Sequence, residues 1–185
     1  MSYTPKIIPD LNTTRIAPAL CLDIDGTVRY STAGDFIKKR SDIALYDGVE
    51  EMLWVYRGNG YVILGISNQG GLAFGIKTPE QENDEMAATL ALFNRNPFDL
   101  IHACWHHTGG TISPLTVRSL CRKPDYGMLV ACELEMAGRG VIIDWNRSLM
   151  VGDRPEDQQC ALNAGVRFQW AAVFFNRAAT EDREE

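Results

Sequence analysis

The sequence predicts an α/β fold, in which a parallel β-sheet carries helices on both faces. Short apolar segments typical of buried strands alternate along the chain with segments of helical periodicity. The chain has 185 residues, of which 45% are hydrophobic and 23% are charged, as in an ordinary globular domain without repeats. We therefore expect a single domain at residues 19–177, after an irregular lead-in at 1–18 and before a frayed tail at 178–185.

The first half of the chain predicts two strands and one helix. Residues 19–24 form an apolar run that ends in acidic residues, as a buried strand would. A helix follows over residues 48–58, where apolar side chains recur at i, i+3, i+4 and i+7, namely Val49, Met52, Leu53 and Tyr56. A Gly-Asn-Gly segment ends this helix. Residues 61–67 are apolar again and predict a second strand.

The second half of the chain continues the alternation. A helix is expected to begin after Thr78, because Thr78 can cap it, Pro79 suits the first helical position and Gln81 completes a capping box. The inner face of this helix is predicted to consist of Met86, Leu90 and Phe93. Two more helices are predicted at 126–137 and 155–164, each closed by a glycine. The remaining strands are predicted at 100–105, 149–152 and 169–175.

The composition describes an acidic protein, with a formal net charge of −6 and a pI of about 5.1. This charge disfavours a general nucleic-acid partner, although it leaves a local basic patch open. No apolar run is long enough to cross a membrane, and the N-terminus has no signal-peptide pattern. The five cysteines are scattered and do not indicate a disulfide framework. We therefore expect a cytoplasmic protein, and a monomer, since nothing indicates an obligate partner.

Two acidic residues, Asp23 and Asp25, end the first strand within the motif D-x-D-G-T. Residues spaced i, i+2 in an extended segment project from the same face. Two buried carboxylates repel each other unless a proton or a cation lies between them, and Mg²⁺ is the hard divalent ion that suits such ligands. Gly26 lets the chain turn sharply after the pair. A turn with exposed acids is the alternative interpretation.

Three further motifs contain polar side chains at comparable places. Ser67 and Asn68 end the second strand in the segment S-N-Q-G-G, where hydroxyl, amide and backbone N–H groups suit phosphate oxygens. Arg122 and Lys123 precede a proline, and in isolation they indicate a solvated basic pair. Asp153 lies between a strand and a helix, where it is either a helix cap or a metal ligand. Ligands bind at the carboxyl ends of the strands in parallel sheets, so we expect one shared cleft.

In this order, the motifs D-x-D-G-T, S-N-Q, R-K-P and G-D-x-x-x-D resemble those of the haloacid dehalogenase (HAD)-like phosphohydrolase superfamily. More narrowly, the chain is similar to the branch that contains histidinol-phosphate phosphatase and D,D-heptose 1,7-bisphosphate phosphatase. The resemblance covers residues 19–164 and implies one Rossmann-like domain. The spacing between the motifs leaves no room for a separate cap domain. The cleft is therefore expected to be open, with residues 30–46 and 106–120 as its walls.

The resemblance implies a Mg²⁺-dependent phosphatase that forms an aspartyl-phosphate intermediate and acts on a small phosphorylated metabolite. Asp23 would attack phosphorus. Asp25 would protonate the leaving alkoxide and then deprotonate the attacking water. The metal ligands would be Asp23, Asp153 and the backbone carbonyl of Asp25, and Asp157 would orient them.

Four other residues are implied as substrate ligands. Ser67 and Lys123 would hold the phosphoryl oxygens, and Lys123 would balance the charge that develops in the transition state. Asn68 and Arg122 would contact the substrate, because an arginine fork suits a second phosphate or a carboxylate. We interpret the basic run at residues 38–40 as solvated charge, and binding of a distal substrate phosphate is the alternative.

The chain departs from the related branch in a loop that often binds zinc there through C-x-H and C-x-C segments. Cys104 and His106 supply the first segment, but Ser119 precedes Cys121 in the second, so a hydroxyl replaces one thiolate. Structural zinc normally takes four N or S ligands. His107 is a candidate substitute for the fourth ligand. We favour ordinary packed side chains here over bound Zn²⁺.

Other functions stay open at this point. A polynucleotide 3′-phosphatase would use the same chemistry, because related domains without a cap act on nucleic-acid ends, although the acidic pI weighs against it. A non-enzymatic binding module on the same fold is disfavoured, since all four motifs are retained. A phosphotransferase would share the first half of the reaction. The motifs do not identify the substrate itself.

Overall fold

The computed structural model describes residues 14–34 and 36–177 of the chain. Its strands are β1 (Arg15–Ala17), β2 (Ala19–Leu22), β3 (Arg29–Ser31), β4 (Ile43–Leu45), β5 (Val62–Asn68), β6 (Leu100–Cys104), β7 (Val141–Ile143), β8 (Leu149–Gly152) and β9 (Arg167–Trp170). Its helices are α1 (Val49–Gly58), α2 (Pro79–Leu90), α3 (Gly127–Gly138), α4 (Pro155–Ala164) and α5 (Ala171–Phe174). Residues 1–13 of the expected lead-in, and the expected tail, lie outside the described residues.

A five-stranded parallel sheet forms the centre of the fold, in the order β6-β5-β2-β8-β9. β2 is the middle strand, because Cys21 is aligned with Leu64 of β5 on one side and with Met150 of β8 on the other. All five strands run in the same direction, so their carboxyl ends meet along one edge of the sheet. The predicted α/β fold with a parallel sheet is confirmed.

Two apolar layers cover the two faces of this sheet. Successive side chains of β2 point to opposite faces, so that Cys21 joins one layer while Leu22 joins the other. Leu129 of α3 and Ala161 of α4 pack in the layer of Cys21. Leu53 of α1 packs in the layer of Leu22. Helices therefore lie on both faces, as predicted. Within the residues described, no helix is both long enough and apolar enough to span a membrane.

Helix α2 begins as predicted, and its predicted inner face packs against the core, although polar side chains of the helix are buried as well. Thr78 Oγ1 accepts a hydrogen bond from Gln81 N (3.3 Å), and Gln81 Oε1 accepts one from Thr78 N (2.8 Å), which completes the capping box. The predicted inner residues Met86 and Leu90 are partly buried against the second apolar layer, and Phe93, which lies beyond the end of α2, is buried within that layer. The residues that α2 buries fully are polar, namely Glu82, Glu85 and Thr89.

Two expectations about local structure were wrong, and one antiparallel pair of strands was not predicted. The last predicted strand is instead β9 followed by the short helix α5. An apolar run of this length suits either a strand or a helix, and here Phe174 is buried as part of a helix. Arg15–Ala17, at the described end of the lead-in, is not irregular but forms β1, which pairs with β7. The antiparallel pair β3–β4 was not predicted. Each of its strands has three residues, too few to show a periodic pattern.

Candidate active site

The carboxyl ends of β2, β5 and β8 bring the predicted site residues together. Asp23 directly follows β2, and its backbone N–H donates to Val151 O of β8 at 2.9 Å. Ser67 lies near the end of β5, and Asp153 directly follows β8. Lys123 lies in the segment before α3, and its side chain reaches into the same cluster. Strand order thus places four motifs that are far apart in sequence at one edge of the sheet.

Lys123 is the buried cation of this cluster, with 3% of its surface exposed. Its Nζ forms ion pairs with Asp23 Oδ1 and, at 2.7 Å, with Asp157 Oδ1. Nζ also donates to Ile66 O at 3.1 Å. Burial alone would lower the pKa of Lys123, but the two carboxylates outweigh it and raise that pKa. Lys123 is therefore a fixed positive charge beside Asp23.

Asn68 fixes the backbone next to this cation. Its side-chain nitrogen donates to Lys123 O, and its side-chain oxygen accepts from Lys123 N, both at 3.0 Å. Since both ends of the amide are engaged, Asn68 ties the Lys123 segment to the end of β5. The substrate contact expected of Asn68 stays a prediction.

The carboxylates of Asp23, Asp153 and Asp157 form an acidic cluster in which one oxygen from each lies within 4.8 Å of the others. Burial first, and then the neighbouring carboxylates, raise the pKa of Asp23, while Lys123 opposes them. Burial and Asp157 likewise raise the pKa of Asp153. Asp23 Oδ2 is buried and accepts no hydrogen bond from any described residue. A hard divalent cation would occupy this oxygen and offset the repulsion, so these residues fit Mg²⁺.

Asp157 supports both the cation and the acidic cluster. Its Oδ2 accepts hydrogen bonds from the backbone N–H groups of Asp153 (3.2 Å) and Arg154 (3.0 Å) at the start of α4. Its Oδ1 faces Lys123. Asp157 is thus held between Lys123 and the start of α4, and the orienting role expected of it stays a prediction.

Asp25 has both carboxylate oxygens in hydrogen bonds. Arg29 Nε donates to Asp25 Oδ1 at 2.7 Å. Gln69 Nε2 and, at 3.3 Å, Ser67 Oγ donate to Asp25 Oδ2. Burial alone would raise the pKa of Asp25, but Arg29 and these hydrogen bonds outweigh it, and the pKa is lowered. The metal contact expected of the Asp25 backbone carbonyl stays a prediction.

Arg29 and Gln69 were not predicted as site residues. Gln69 belongs to the S-N-Q motif, so its position beside Ser67 was a usable signal, and its Nε2 donates to Ser67 Oγ at 2.8 Å. Arg29 offered no comparable signal, because its partners on α2 lie about 60 residues away in the chain.

Arg122 connects the site to the wall predicted at 106–120. Its Nη1 donates to His106 O at 3.1 Å, and burial lowers its pKa. The same loop is fastened to the segment after the S-N-Q motif, since the N–H groups of Thr111 and Ile112 both donate to Ala73 O, at 2.7 and 2.9 Å. The loop therefore lies beside the S-N-Q and R-K-P motifs.

The basic run at residues 38–40 is exposed, as its interpretation as solvated charge requires. Arg40 has 64% of its side chain exposed and forms an ion pair with Asp84 of α2. Lys39 is 74% exposed and lies 3.9 Å from Asp42. These contacts connect the segment to α2 and to its own neighbours.

The predicted zinc-loop residues come together, although not as expected. Cys104 and Cys121 are paired as a disulfide, with Cα atoms 5.7 Å apart, which the sequence did not lead us to predict. His106 Nδ1 lies 4.0 Å from each sulfur, and Ser119 Oγ lies 2.9 Å from Cys121 Sγ. In the reduced protein, two thiols and one imidazole would give zinc three suitable ligands, one fewer than the usual four.

His107 does not complete this cluster. Its ring packs against Phe74, with centroids 4.8 Å apart. Its Nδ1 accepts a hydrogen bond from Gly109 N at 3.0 Å. His107 instead stabilises the turn of the 106–120 loop.

Comparison with known proteins agrees with this geometry. The sequence model of the family described as polynucleotide kinase 3 phosphatase matches residues 19–175. The D-glycero-beta-D-manno-heptose-1,7-bisphosphate 7-phosphatase of Yersinia pestis is 33% identical over 157 residues, which cover 83% of this chain and 79% of that protein. The protein of the same name from Escherichia coli (strain K12) is 31% identical over 152 residues, which cover 80% and 75%.

Solved structures show the same fold. A candidate HAD-like phosphatase from Mesorhizobium loti superposes with a TM-score of 0.72 at 29% identity, covering 82% of this chain and 70% of that one. D,D-heptose 1,7-bisphosphate phosphatase from B. bronchiseptica, solved with magnesium and phosphate, gives 0.66 at 21% identity, covering 90% and 88%. The chain is a phosphoric monoester hydrolase. It belongs to the polynucleotide kinase 3 phosphatase family within the HAD-like superfamily, on the branch of the heptose-1,7-bisphosphate phosphatases.

Proposed function

We propose that this phosphatase is Mg²⁺-dependent and hydrolyses a small phosphomonoester, such as a sugar phosphate, through an aspartyl-phosphate on Asp23. The observation that carries the proposal is the buried Asp23 carboxylate, with one oxygen paired to Lys123 and the other without a partner among the described residues. The relatives named as heptose bisphosphate phosphatases support the substrate class.

The first half of the reaction transfers the phosphoryl group to the protein. One carboxylate oxygen of Asp23 forms a bond to phosphorus while the bond to the leaving oxygen breaks. Asp25 must first take up a proton, because the hydrogen bonds around it lower its pKa, and it then gives this proton to the leaving oxygen. Lys123 offsets the charge on the phosphoryl oxygens, and Ser67 donates a hydrogen bond to one of them. Bound Mg²⁺, held by Asp23 and Asp153, supplies the positive charge that lets a carboxylate approach a phosphate.

The second half restores the carboxylate. Asp25, now ionised, takes a proton from a water molecule, whose oxygen attacks phosphorus and releases inorganic phosphate from Asp23. We assign Arg122 to the leaving part of the substrate; its position next to Lys123 and a fork that suits a second anionic group support this role. Asn68 keeps Lys123 in position throughout.

The second candidate is a 3′-phosphatase acting on polynucleotide ends, and the description of the matching family favours it. The formal net charge of −6 weighs against it, because a nucleic-acid backbone would be repelled by an acidic surface. We therefore rank this function below the hydrolysis of a sugar phosphate.

The test is phosphate release from a panel of phosphorylated sugars and alcohols and from a 3′-phosphorylated oligonucleotide, with and without Mg²⁺. We expect turnover that requires Mg²⁺ and is lost in Asp23→Asn. Asp144→Asn, a matched change at the end of β7 away from the cluster, should keep wild-type activity. Preference for the oligonucleotide would replace the first candidate by the second. Full activity of Asp23→Asn would overturn the assigned nucleophile.

For zinc, we propose that the loop does not hold a structural ion in the wild-type protein. Protein purified under reducing conditions without chelator should contain clearly less than one zinc per chain by elemental analysis. Ser119→Cys would place a fourth ligand beside Cys121 and should raise the content to about one. Ser113→Cys, in the same loop, is the control. Stoichiometric zinc in the wild type would contradict the proposal.

Cytoplasmic location and a monomeric state stay predictions.

A further inference from the structure

Arg29 is a buried cation that the proposed reaction does not use. It is 1% exposed, the largest of the fully buried side chains in the described part of the chain. Its guanidinium connects two elements. Nε donates to Asp25 Oδ1 at 2.7 Å, while Nη1 donates to Thr89 Oγ1 (2.6 Å) and to Glu85 O (3.3 Å) on α2.

The anchor on α2 is itself fixed by charge. Glu85 Oε2 lies 3.9 Å from Arg29 Nη2 and forms an ion pair with Lys77 Nζ at 2.7 Å. The Glu85 side chain is 8% exposed and that of Lys77 is 17% exposed, so water screens this row of charges only weakly. The order Asp25, Arg29, Glu85, Lys77 alternates in sign, and each charge has an opposite neighbour.

This arrangement gives the two oxygens of Asp25 different surroundings. Oδ1 faces Arg29 and, through it, α2. Oδ2 lies 3.3 Å from Ser67 Oγ, the hydroxyl expected to hold the phosphoryl group. Oδ2 is therefore the oxygen on the side of the substrate. Nη1 is bonded to α2, so the planar guanidinium is itself held in place and directs Nε at Asp25 Oδ1. Together with the hydrogen bonds from Ser67 and Gln69 to Oδ2, this bond leaves the Asp25 carboxylate little freedom to rotate.

We propose that Arg29 is a positioning residue for Asp25, which uses its anchor on α2 to hold Oδ1 and so presents Oδ2 to the leaving oxygen. The inference rests on the proposed function, because it assumes that Asp25 passes a proton to the leaving group. Proton transfer of this kind requires placement to within a fraction of an ångström. A purely structural Arg29 would join β3 to α2 with no effect specific to that step.

Two classes of substrate separate these roles. An alkyl phosphate releases an alkoxide that needs a proton, whereas 4-nitrophenyl phosphate releases a phenolate that is stable without one. The readout is kcat/KM for each, since this ratio reports the steps up to phosphoryl transfer and not the later hydrolysis. Arg29→Met should lower kcat/KM for the alkyl ester on the order of 100-fold and for the aryl ester by less than about tenfold.

The controls use the same network. Thr89→Val removes one of the two hydrogen bonds that anchor Arg29 on α2 but leaves its bond to Asp25, so its loss of kcat/KM should also be larger for the alkyl ester, but smaller than that of Arg29→Met. Arg29→Lys keeps the buried charge and so protects the fold. Its kcat/KM should still fall further for the alkyl ester than for the aryl ester. Asp25→Asn should show the selective loss by itself, and adding Arg29→Met to it should bring no further selective loss.

Equal losses on the two esters, or selective losses that multiply in the double variant, would overturn the proposal. A wild-type protein that releases phosphate from neither ester with Mg²⁺ would refute the proposed function instead. That result is visible before any Arg29 variant is compared, so the two failures are distinguishable.

Discussion

Gly26 shows how a single missing Cβ shapes the metal-binding end of the site. Its φ of +89° lies in the region that favours glycine, and a Cβ built there would overlap the carboxylate of Asp153. Thr27, the next residue, donates from Oγ1 to Asp153 Oδ1 at 3.3 Å. The absence of a side chain at Gly26 thus allows the carboxylate of Asp153, which follows β8, to lie directly against the backbone of the D-x-D-G-T motif.

Gly26→Ala is therefore expected to displace Asp153 and lower kcat/KM on the order of 100-fold. Gly60→Ala is the matched control, because Gly60 has a φ of +85° and nothing lies within 4 Å of its built Cβ. Both variants should lose roughly 1–2 kcal/mol of unfolding free energy through backbone strain. Only Gly26→Ala should also weaken the thermal stabilisation by Mg²⁺. Equal effects of the two variants on Mg²⁺ binding would refute the close-contact argument.

The residues of the site differ in how far the sequence could predict them. Asp23, Asp153 and Lys123 were predictable, because each stands at the end of an apolar strand or in a motif whose order is specific. Arg29 was not, since a buried arginine is identified only by its partners, and these come from a helix whose position the motifs do not specify. The disulfide of Cys104 was missed for a similar reason, because pairing is a contact in space.

Helix α2 is the element for which apolar periodicity predicted only part of the buried face. Apolar spacing correctly indicated the residues that pack in or against the second apolar layer, namely Met86, Leu90 and Phe93. It did not indicate Glu82, Glu85 and Thr89, which are buried as well. Burying charged residues normally destabilises a fold, so a pattern-based prediction places them outside. Here Arg29 and Lys77 provide the opposite charges. The capping signals of α2 depend only on neighbouring residues, and these were predicted correctly.

The cap of α2 can be tested by Thr78→Ala, which removes the side-chain acceptor of Gln81 N. Loss of a helix cap lowers the unfolding free energy by about 1 kcal/mol, and we expect that change in urea denaturation. Thr108→Ala, at an exposed position of the 106–120 loop, should change it by less than about 0.5 kcal/mol. A Thr78→Ala protein as stable as the control would show that the cap contributes nothing to folding.

At the scale of the whole molecule, a residue that is distant in sequence, Arg177, contacts the turn of the D-x-D-G-T motif. Arg177 Nη1 donates to Gly26 O at 3.3 Å, and Nη2 donates to Thr27 O. The Arg177 guanidinium carbon lies 3.8 Å from the ring centroid of Tyr46 and 4.6 Å from that of Phe175. An arginine 150 residues along the chain thus holds the backbone of the D-x-D-G-T turn from outside the sheet.

Arg177→Met should therefore loosen the catalytic turn as well as the fold. Arg167 is a matched control, because it also donates to two backbone carbonyls, Ser148 O at 3.3 Å and Arg147 O at 2.9 Å, at the opposite edge of the sheet. Both substitutions to Met should lower the unfolding free energy by roughly 1–2 kcal/mol. Only Arg177→Met should reduce kcat/KM, on the order of tenfold, because only Arg177 contacts the turn that carries Asp23 and Asp25. If Arg167→Met reduces kcat/KM as much, the loss follows from global stability, and the link between Arg177 and the active site is refuted.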